Sequence, residues 1–451
     1  MKSIMKKSLA GFLSLLMVCA MGGCNSNPAK QQQQTAAAGG ANNTQASSGA
    51  DEMTGTLRIN GQSWFWGKYD FDKLKADFES KHKGVTVSYQ KLAYSDTTTN
   101  MLQWVAGKTD CDITLGGSRE DAVAYVAKDY LIKFDGKNFF NGNLKESDFV
   151  PSFLKLGNIN GNQYVIPFCN EVFMINVNKA LMAKAGLVGA DGKIAHPETW
   201  DQLYTYAQKA TIKKDGAMQT GLSIDWGTND GFQSYMSSLQ GVAGTLYGSD
   251  KTTLDFKSGS SAKVFSTWKK LIDGGYTPTD TFADQDAGRT NFKAGKVAML
   301  VAPASRSIEA QSLLGKDNVT TLPLPGSDKN GSFCYTQGIM VPKLSTHQTL
   351  AIQFIKEELM NNNLLEPTML KYGKLSPLLV TYEGKDQIFK DMLQISEKSV
   401  SAPLYLDYNR LNTRFVTENQ NYLKGGESLE ALQSRLTQLE SSLNLTMKSS
   451  S

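Results

Sequence analysis

The segment Asn60-Gly-Gln-Ser-Trp64-Phe65-Trp66-Gly67 places three large rings beside glycines, between an apolar fragment, Leu57-Arg-Ile59, and the helical spacing Phe71, Leu74, Phe78. Flat apolar faces with a polar N–H edge can stack on a ligand and orient it at the rim, which suits Trp64 and Trp66, whereas Phe65 suits a core anchor. A second such site is Asp225-Trp226, at the end of the apolar run Gly221-Leu-Ser-Ile224. Asn170 and Glu171 interrupt two apolar extended stretches. A buried amide and carboxylate need partners, so they either bond to backbone or face a ligand. Tyr335 and Gln337, just before Gly338, are further polar candidates.

Catalytic constellations are missing where their spacing could be read. His82, His196 and His347 are far apart, and none falls in an HExxH or HxxxH pattern. A histidine metal site or a Ser-His-Asp triad is therefore poorly supported, and no metal, catalytic residue or cofactor is expected. Gly288 to Lys296 has the wrong internal spacing for a phosphate-binding loop, and Val297 replaces its hydroxyl residue. Carboxylates such as Glu357 and Glu358 fit a solvated helix face, although a glycosidase pair cannot be recognised from spacing along a chain.

These candidates hang on an alternation of strands and helices. Val85, Val87 and Tyr89 alternate as in a strand, and Cys111 to Leu115 runs into Gly116-Gly117. Ala122 to Leu131 predicts a helix. Extended segments follow at 161–167 and 171–176, separated by Phe168 to Asn170. Pro197-Glu-Thr199 opens a helix with Thr199 or Asp201 as cap. Helices over Ala262 to Ile272, 351–359 and 429–439 flank a strand over Lys296 to Ala302 and the link Leu322-Pro-Leu-Pro325. The alternation predicts an α/β fold whose sheet is covered on both faces.

Residues 1–23 are expected to be removed. Lys2, Lys6 and Lys7 precede an apolar stretch from Leu9 to Ala20, too short to span a membrane, and Met21-Gly-Gly-Cys24 resembles the cleavage site at which bacterial lipoproteins acquire their lipid. Residues 24–53, rich in Asn, Gln, Ala, Gly and Ser, have the composition of a flexible tether. Lys plus Arg total 47 against 43 Asp plus Glu, and three of the lysines lie in the leader. The near-neutral remainder offers no electrostatic case for nucleic acid. Cys111, Cys169 and Cys334 are too few for a disulfide framework, though one bridge remains open.

In order and spacing, several segments resemble the solute-binding proteins of bacterial ABC importers, in the carbohydrate-type group that includes maltodextrin-binding proteins. They are Phe71-Asp-Lys-Leu-Lys-Ala-Asp-Phe-Glu79, Gly107-Lys-Thr-Asp-Cys-Asp112, Gly161-Asn-Gln-Tyr-Val-Ile-Pro167 with Met174-Ile-Asn-Val-Asn178, Pro197-Glu-Thr-Trp-Asp-Gln-Leu203, Phe292-Lys-Ala-Gly-Lys-Val-Ala-Met299 and Gly338-Ile-Met-Val-Pro342. The resemblance implies a two-lobed, Venus-flytrap α/β fold with ligand in the cleft. It assigns 54–168 plus 297–342 to an N-terminal lobe and 169–296 plus 343–448 to a C-terminal lobe. Crossings are implied near Phe168 to Val172, Arg289 to Val297 and Pro342 to Thr346.

The implied function is a non-enzymatic lipoprotein anchored through Cys24 on the outer face of the cell membrane, monomeric, handing a sugar or oligosaccharide to permease subunits. Ligands of open α/β sheets lie beyond the carboxyl ends of strands, which selects Trp64, Trp66, Asp225 and Trp226, while Asn170 and Glu171 enter as polar residues at the implied first crossing and Tyr335 and Gln337 as polar residues before Gly338. The resemblance adds Gly117, Ser118 and Arg119, and it places Ser305 where the family often carries a sugar-stacking tryptophan. Arg306 beside it suits a carboxylate, so a uronate or another anionic or non-sugar solute is the alternative ligand. A secreted carbohydrate-active enzyme is the alternative activity.

Overall fold

The computed structural model describes residues 53–93, 106, 111–214, 217–227, 229–251, 253–284 and 286–448. The leader, Cys24 and the tether lie outside them. Eleven strands form in chain order: β1 Gly55–Gln62, β2 Val85–Leu92, β3 Ile113–Gly117, β4 Asn158–Ile159, β5 Asn162–Gln163, β6 Ile166–Asn178, β7 Ile212–Lys214, β8 Ala217–Ile224, β9 Val297–Pro303, β10 Val319–Leu322 and β11 Cys334–Met340. Nine join in the order β2-β1-β3-β11-β6-β9-β8-β7, with β10 also on β6, while β4 and β5 pair separately.

β6 gives this sheet its two-lobed character. Its first half pairs with β11 from Ile166 to Val172, and its second half pairs with β9 and β10 from Phe173 to Asn178. Thirteen consecutive buried residues make it a single strand where the sequence predicts two segments with a break at 168–170. Both faces are covered, so the polar residues within it continue the ladder instead of interrupting it.

One apolar cluster surrounds β1 to β3 and includes Leu57, Ile59, Phe65, Phe78, Leu115, Phe168 and Ile339. A second surrounds β8 and β9 and includes Ile175, Trp200, Leu222, Trp226, Trp268, Met299 and Leu436. A third, with Val172, Met174, Ile308, Met369, Leu375 and Phe389, lies where the lobes join.

Two expected lobe assignments change on this packing. β9 pairs with β8 and contributes Ala298 and Val301 to the second cluster, so the chain does not cross at Arg289 to Val297. Leu350, Ala351, Phe354, Leu359 and Leu365 instead pack in the first cluster, so the chain does not leave it at Pro342 to Thr346. Phe333 and Ala402 belong to the second cluster, and Ile339 and Leu378 to the first.

Local signals set several boundaries. The helix expected from Ala122 runs Arg119–Val126, started by a capping box between Ser118 and Asp121. It cannot continue to Leu131 because Asp129 adopts a left-handed φ of 59°. Thr199, not Asp201, caps the helix Trp200–Ala210, with Gln202 returning the bond. The aromatics after β1 form a single 3-10 turn, Ser63–Gly67.

Candidate functional site

At the end of β1, Trp64 and Trp66 point to different places. The Trp64 indole N–H donates to Gln62 Oε1 over 2.6 Å, and its ring stacks on Phe65 with centroids 3.9 Å apart. Lys374 Nζ lies 5.5 Å from the Trp64 ring centroid. Gln337 Nε2 donates to the same Gln62 oxygen over 3.4 Å, so strands β1 and β11 jointly fix this corner. Trp66 turns back into the first lobe, stacked on Phe71 at 4.7 Å and edge-on to Tyr89 at 5.6 Å.

At the crossing on β6, Glu171 is buried. Its Oε1 accepts from Ser305 Oγ over 3.0 Å and from Lys374 Nζ, while Oε2 has no hydrogen-bond partner. Asn170 Nδ2 donates to the Leu375 carbonyl over 3.1 Å. Asn170 thus bonds to backbone through Nδ2 while its Oδ1 has no hydrogen-bond partner, and Glu171 forms an ion pair with Lys374.

The second lobe contributes a charged wall. Glu309 is ion-paired with three cations, Arg289 Nη2 at 2.7 Å, Lys68 Nζ at 3.2 Å and Arg306 Nη1 at 3.6 Å. Burial alone would push its carboxyl up, but Arg306, Lys374, Arg289 and Lys68 together hold it at about 2. The Lys68–Glu309 contact bridges from the β1 exit to the helix Ser305–Leu314. Asp225, only 3% exposed at the end of β8, behaves oppositely. Burial and the neighbouring Asp230 push its carboxyl up to about 8. Burial likewise raises Asp230, and burial and Glu171 raise the Tyr335 phenol well above its usual range.

These side chains line one open cavity of about 620 Å³. Trp64, Lys68 and Gln337 approach it from the first lobe, and Asp225, Asp230, Gln233, Asp286, Arg289, Arg306 and Glu309 from the second. Tyr335 and Lys374 stand at the join, and Gly227 completes the rim. Five expected residues thus meet here: Trp64, Asp225, Arg306, Tyr335 and Gln337. Glu171 and Ser305 lie one layer below.

The other expected contacts do not line this cavity. Trp226 is 0% exposed, edge-on to Trp268 at 5.1 Å inside the second core, because the chain turns its ring inward from the strand end. Gly117 permits close approach, since a Cβ there would stand 1.9 Å from Met340 Cε. Ser118 is occupied as a helix cap, and Arg119 donates to the Ala402 carbonyl and lies 3.8 Å from Glu120. Cys111, Cys169 and Cys334 are buried and free of disulfides.

Lys68, Asp230, Gln233, Asp286, Arg289, Glu309 and Lys374 escaped sequence reasoning. The i,i+3 pairs Asp286–Arg289 and Arg306–Glu309 were visible as spacing, but on a helix such pairs ordinarily face solvent. Nothing local marks Lys374.

Residues 73–391 match the profile of a family described as bacterial extracellular solute-binding protein. A Brucella abortus (strain 2308) protein named as a binding protein is 24% identical over 303 residues, 65% of this chain and 69% of its own length. Among solved structures, the GacH receptor of Streptomyces glaucescens GLA.O, studied unliganded and with acarbose, superposes with a TM-score of 0.72 at 21% identity, covering 86% of this chain and 98% of its own. The sugar-binding protein MalE of Xanthomonas citri gives a TM-score of 0.72 at 17% identity over 87% and 98%. An ABC transporter solute-binding protein from Thermotoga lettingae TMO, bound with α-D-tagatose, gives 0.71 at 19% identity over 86% and 99%. The two-lobed fold is common to all three.

Proposed function

Because the chain belongs to the family of bacterial extracellular solute-binding proteins, we propose that it captures a sugar or oligosaccharide between its lobes and delivers it to an ABC permease. The observation that carries this reading is the cavity of about 620 Å³, with Trp64 on one lobe facing polar and charged side chains of the other. An aromatic face suits the C–H face of a sugar ring, and the surrounding amides and carboxylates suit its hydroxyls. Tyr335, Gln337, Asp225 and Arg306 are the proposed polar contacts, with Trp64 as the stacking platform.

Closure follows from population shift. A ligand that touches both walls only when they approach stabilises that closed state by its differential affinity. The crossing strand β6, braced by the Glu171–Lys374 pair, suits a hinge together with β11, and the lobe boundaries proposed are the crossings near 172, 333–339 and 378–402. The leader and Cys24 support export and lipid anchoring at the outer face of the cell membrane, with the chain acting as a monomeric, non-enzymatic receptor.

Tryptophan fluorescence and thermal unfolding across a panel of mono- and oligosaccharides test the reading. Saturable quenching with a raised Tm for at least one saccharide is expected. Absence of both across the panel would reject sugar capture, and turnover of any saccharide would favour an enzyme instead.

A further inference from the structure

The cleft charges are not evenly matched. On one side, each of four cations has an acidic partner within the protein: Lys68, Arg289 and Arg306 around Glu309, and Lys374 on Glu171. On the other side, Asp225 is buried and faces the cavity, yet its Oδ1 has no hydrogen-bond partner. Asp230, Asp286 and Asp280, all acidic, act on it, against the cation Arg306. Gly288 packs directly on this carboxyl, where a Cβ would stand 2.4 Å from Oδ1, so no side chain at that position can supply a donor. A buried carboxyl without a donor is costly, and a bound solute can supply what the protein omits.

We propose that Asp225, flanked by Asp230 and Asp286, is a subsite for a positively charged group on the solute, specifically the ammonium of an amino-sugar residue. The inference rests on the reading of this cleft as a saccharide site and narrows it to one class. Before a solute arrives the Asp225 carboxyl holds a proton, because burial and Asp230 both disfavour its anion. An arriving ammonium reverses that balance. The carboxyl then ionises, its proton passes to solvent, and an N⁺–H···O⁻ bond forms in a water-poor site, where charge-assisted bonds are strongest. The neutral N-acetylated or hydroxyl counterpart can bond to the carboxylic acid but gains no such charge pairing. Trp64 and Gln337 on the opposite wall would then hold the uncharged part of the sugar.

Calorimetry with the mature protein tests this, using matched oligosaccharides of glucosamine, N-acetylglucosamine and glucose at pH 6, where the amine is protonated. The amino form is expected to bind at least tenfold more tightly than either neutral form. In buffers of different ionisation enthalpy, its binding should release close to one proton. Asp225→Asn should collapse the amino-to-neutral affinity ratio towards one, and Asp230→Asn should reduce it. Should Asp225→Asn fail to fold, the proton release of the unaltered protein still decides the matter. Equal affinities, or amine binding without proton release, would overturn the acidic subsite while leaving sugar capture standing. Binding of no saccharide at all would reject the function reading, and this inference with it.

Discussion

Ser305 and Glu171 are joined across the lobe junction, with Ser305 Oγ donating to Glu171 Oε1 over 3.0 Å. Lys374 approaches the same carboxylate oxygen from a third segment, so strand β6, the helix Ser305–Leu314 and the turn at 373–375 converge on one buried charge. Such an arrangement holds a junction in register while leaving the lobes on either side intact.

Removing one partner of that pair leaves a buried charge uncompensated. Lys374→Met should lower unfolding stability by about 3–5 kcal/mol, while the double variant Glu171→Gln with Lys374→Met should lose less than Lys374→Met alone. Urea unfolding of the unaltered protein, both single variants and the double variant checks this. A double variant as unstable as the sum of the two single variants would show that the residues act independently.

The two tryptophans after β1 should separate by role. Trp64→Ala should weaken saccharide binding at least tenfold with a small change in stability. Trp66→Ala, which removes the stack on Phe71 and the edge contact with Tyr89, should cost about 3 kcal/mol of stability. Paired fluorescence titration and urea melts distinguish the two.

Trp226 should behave as core. Trp226→Ala opens a cavity against Trp268 and should lose about 3–5 kcal/mol, whereas Trp226→Phe should be far milder because the indole N–H has no partner to lose. A Trp226→Phe protein that folds with normal stability yet binds no ligand would restore a stacking role.

Stability should fall as pH rises across the neutral range because of Asp225. Its folded value, about 8, lies above the unfolded carboxylate value near 3.8, so the folded state holds the extra proton between them. The contribution is full below pH 4 and is lost as pH climbs through about 8. Glu309 acts in the opposite sense, with a folded value of about 2, so its contribution is present above pH 4.5 and is lost as pH falls through about 2. Urea midpoints from pH 5 to 9 should decline in the unaltered protein and flatten in Asp225→Asn. An equal decline in both proteins would assign the effect to other groups.

Local sequence alone determined many of the elements and the class of fold, though not the continuity of β6 or the end of the helix Arg119–Val126. Alternation in Val85-Thr-Val87, the box from Thr199 to Gln202 and the apolar spacing of Phe71, Leu74 and Phe78 each concern neighbours within one turn or one strand, where residue type and period settle the geometry. The order of those segments carried the family resemblance, strand ends marked Trp64 and Asp225 as cleft candidates, and polar type beside Gly338 marked Tyr335 and Gln337, which lie inside β11. Tertiary structure alone decided which faces those residues present. Trp64 and Trp66 are two positions apart and indistinguishable as residue types, yet the turn sends one ring to the cleft and the other into Phe71 and Tyr89. Trp226 and Asp225 divide in the same way between core and cavity. Lys68, Glu309 and Lys374, distant in the chain, meet because β6 serves both lobes and brings their segments around one junction. Orientation and long-range charge pairing depend on how the chain closes upon itself, and no local pattern records that closure.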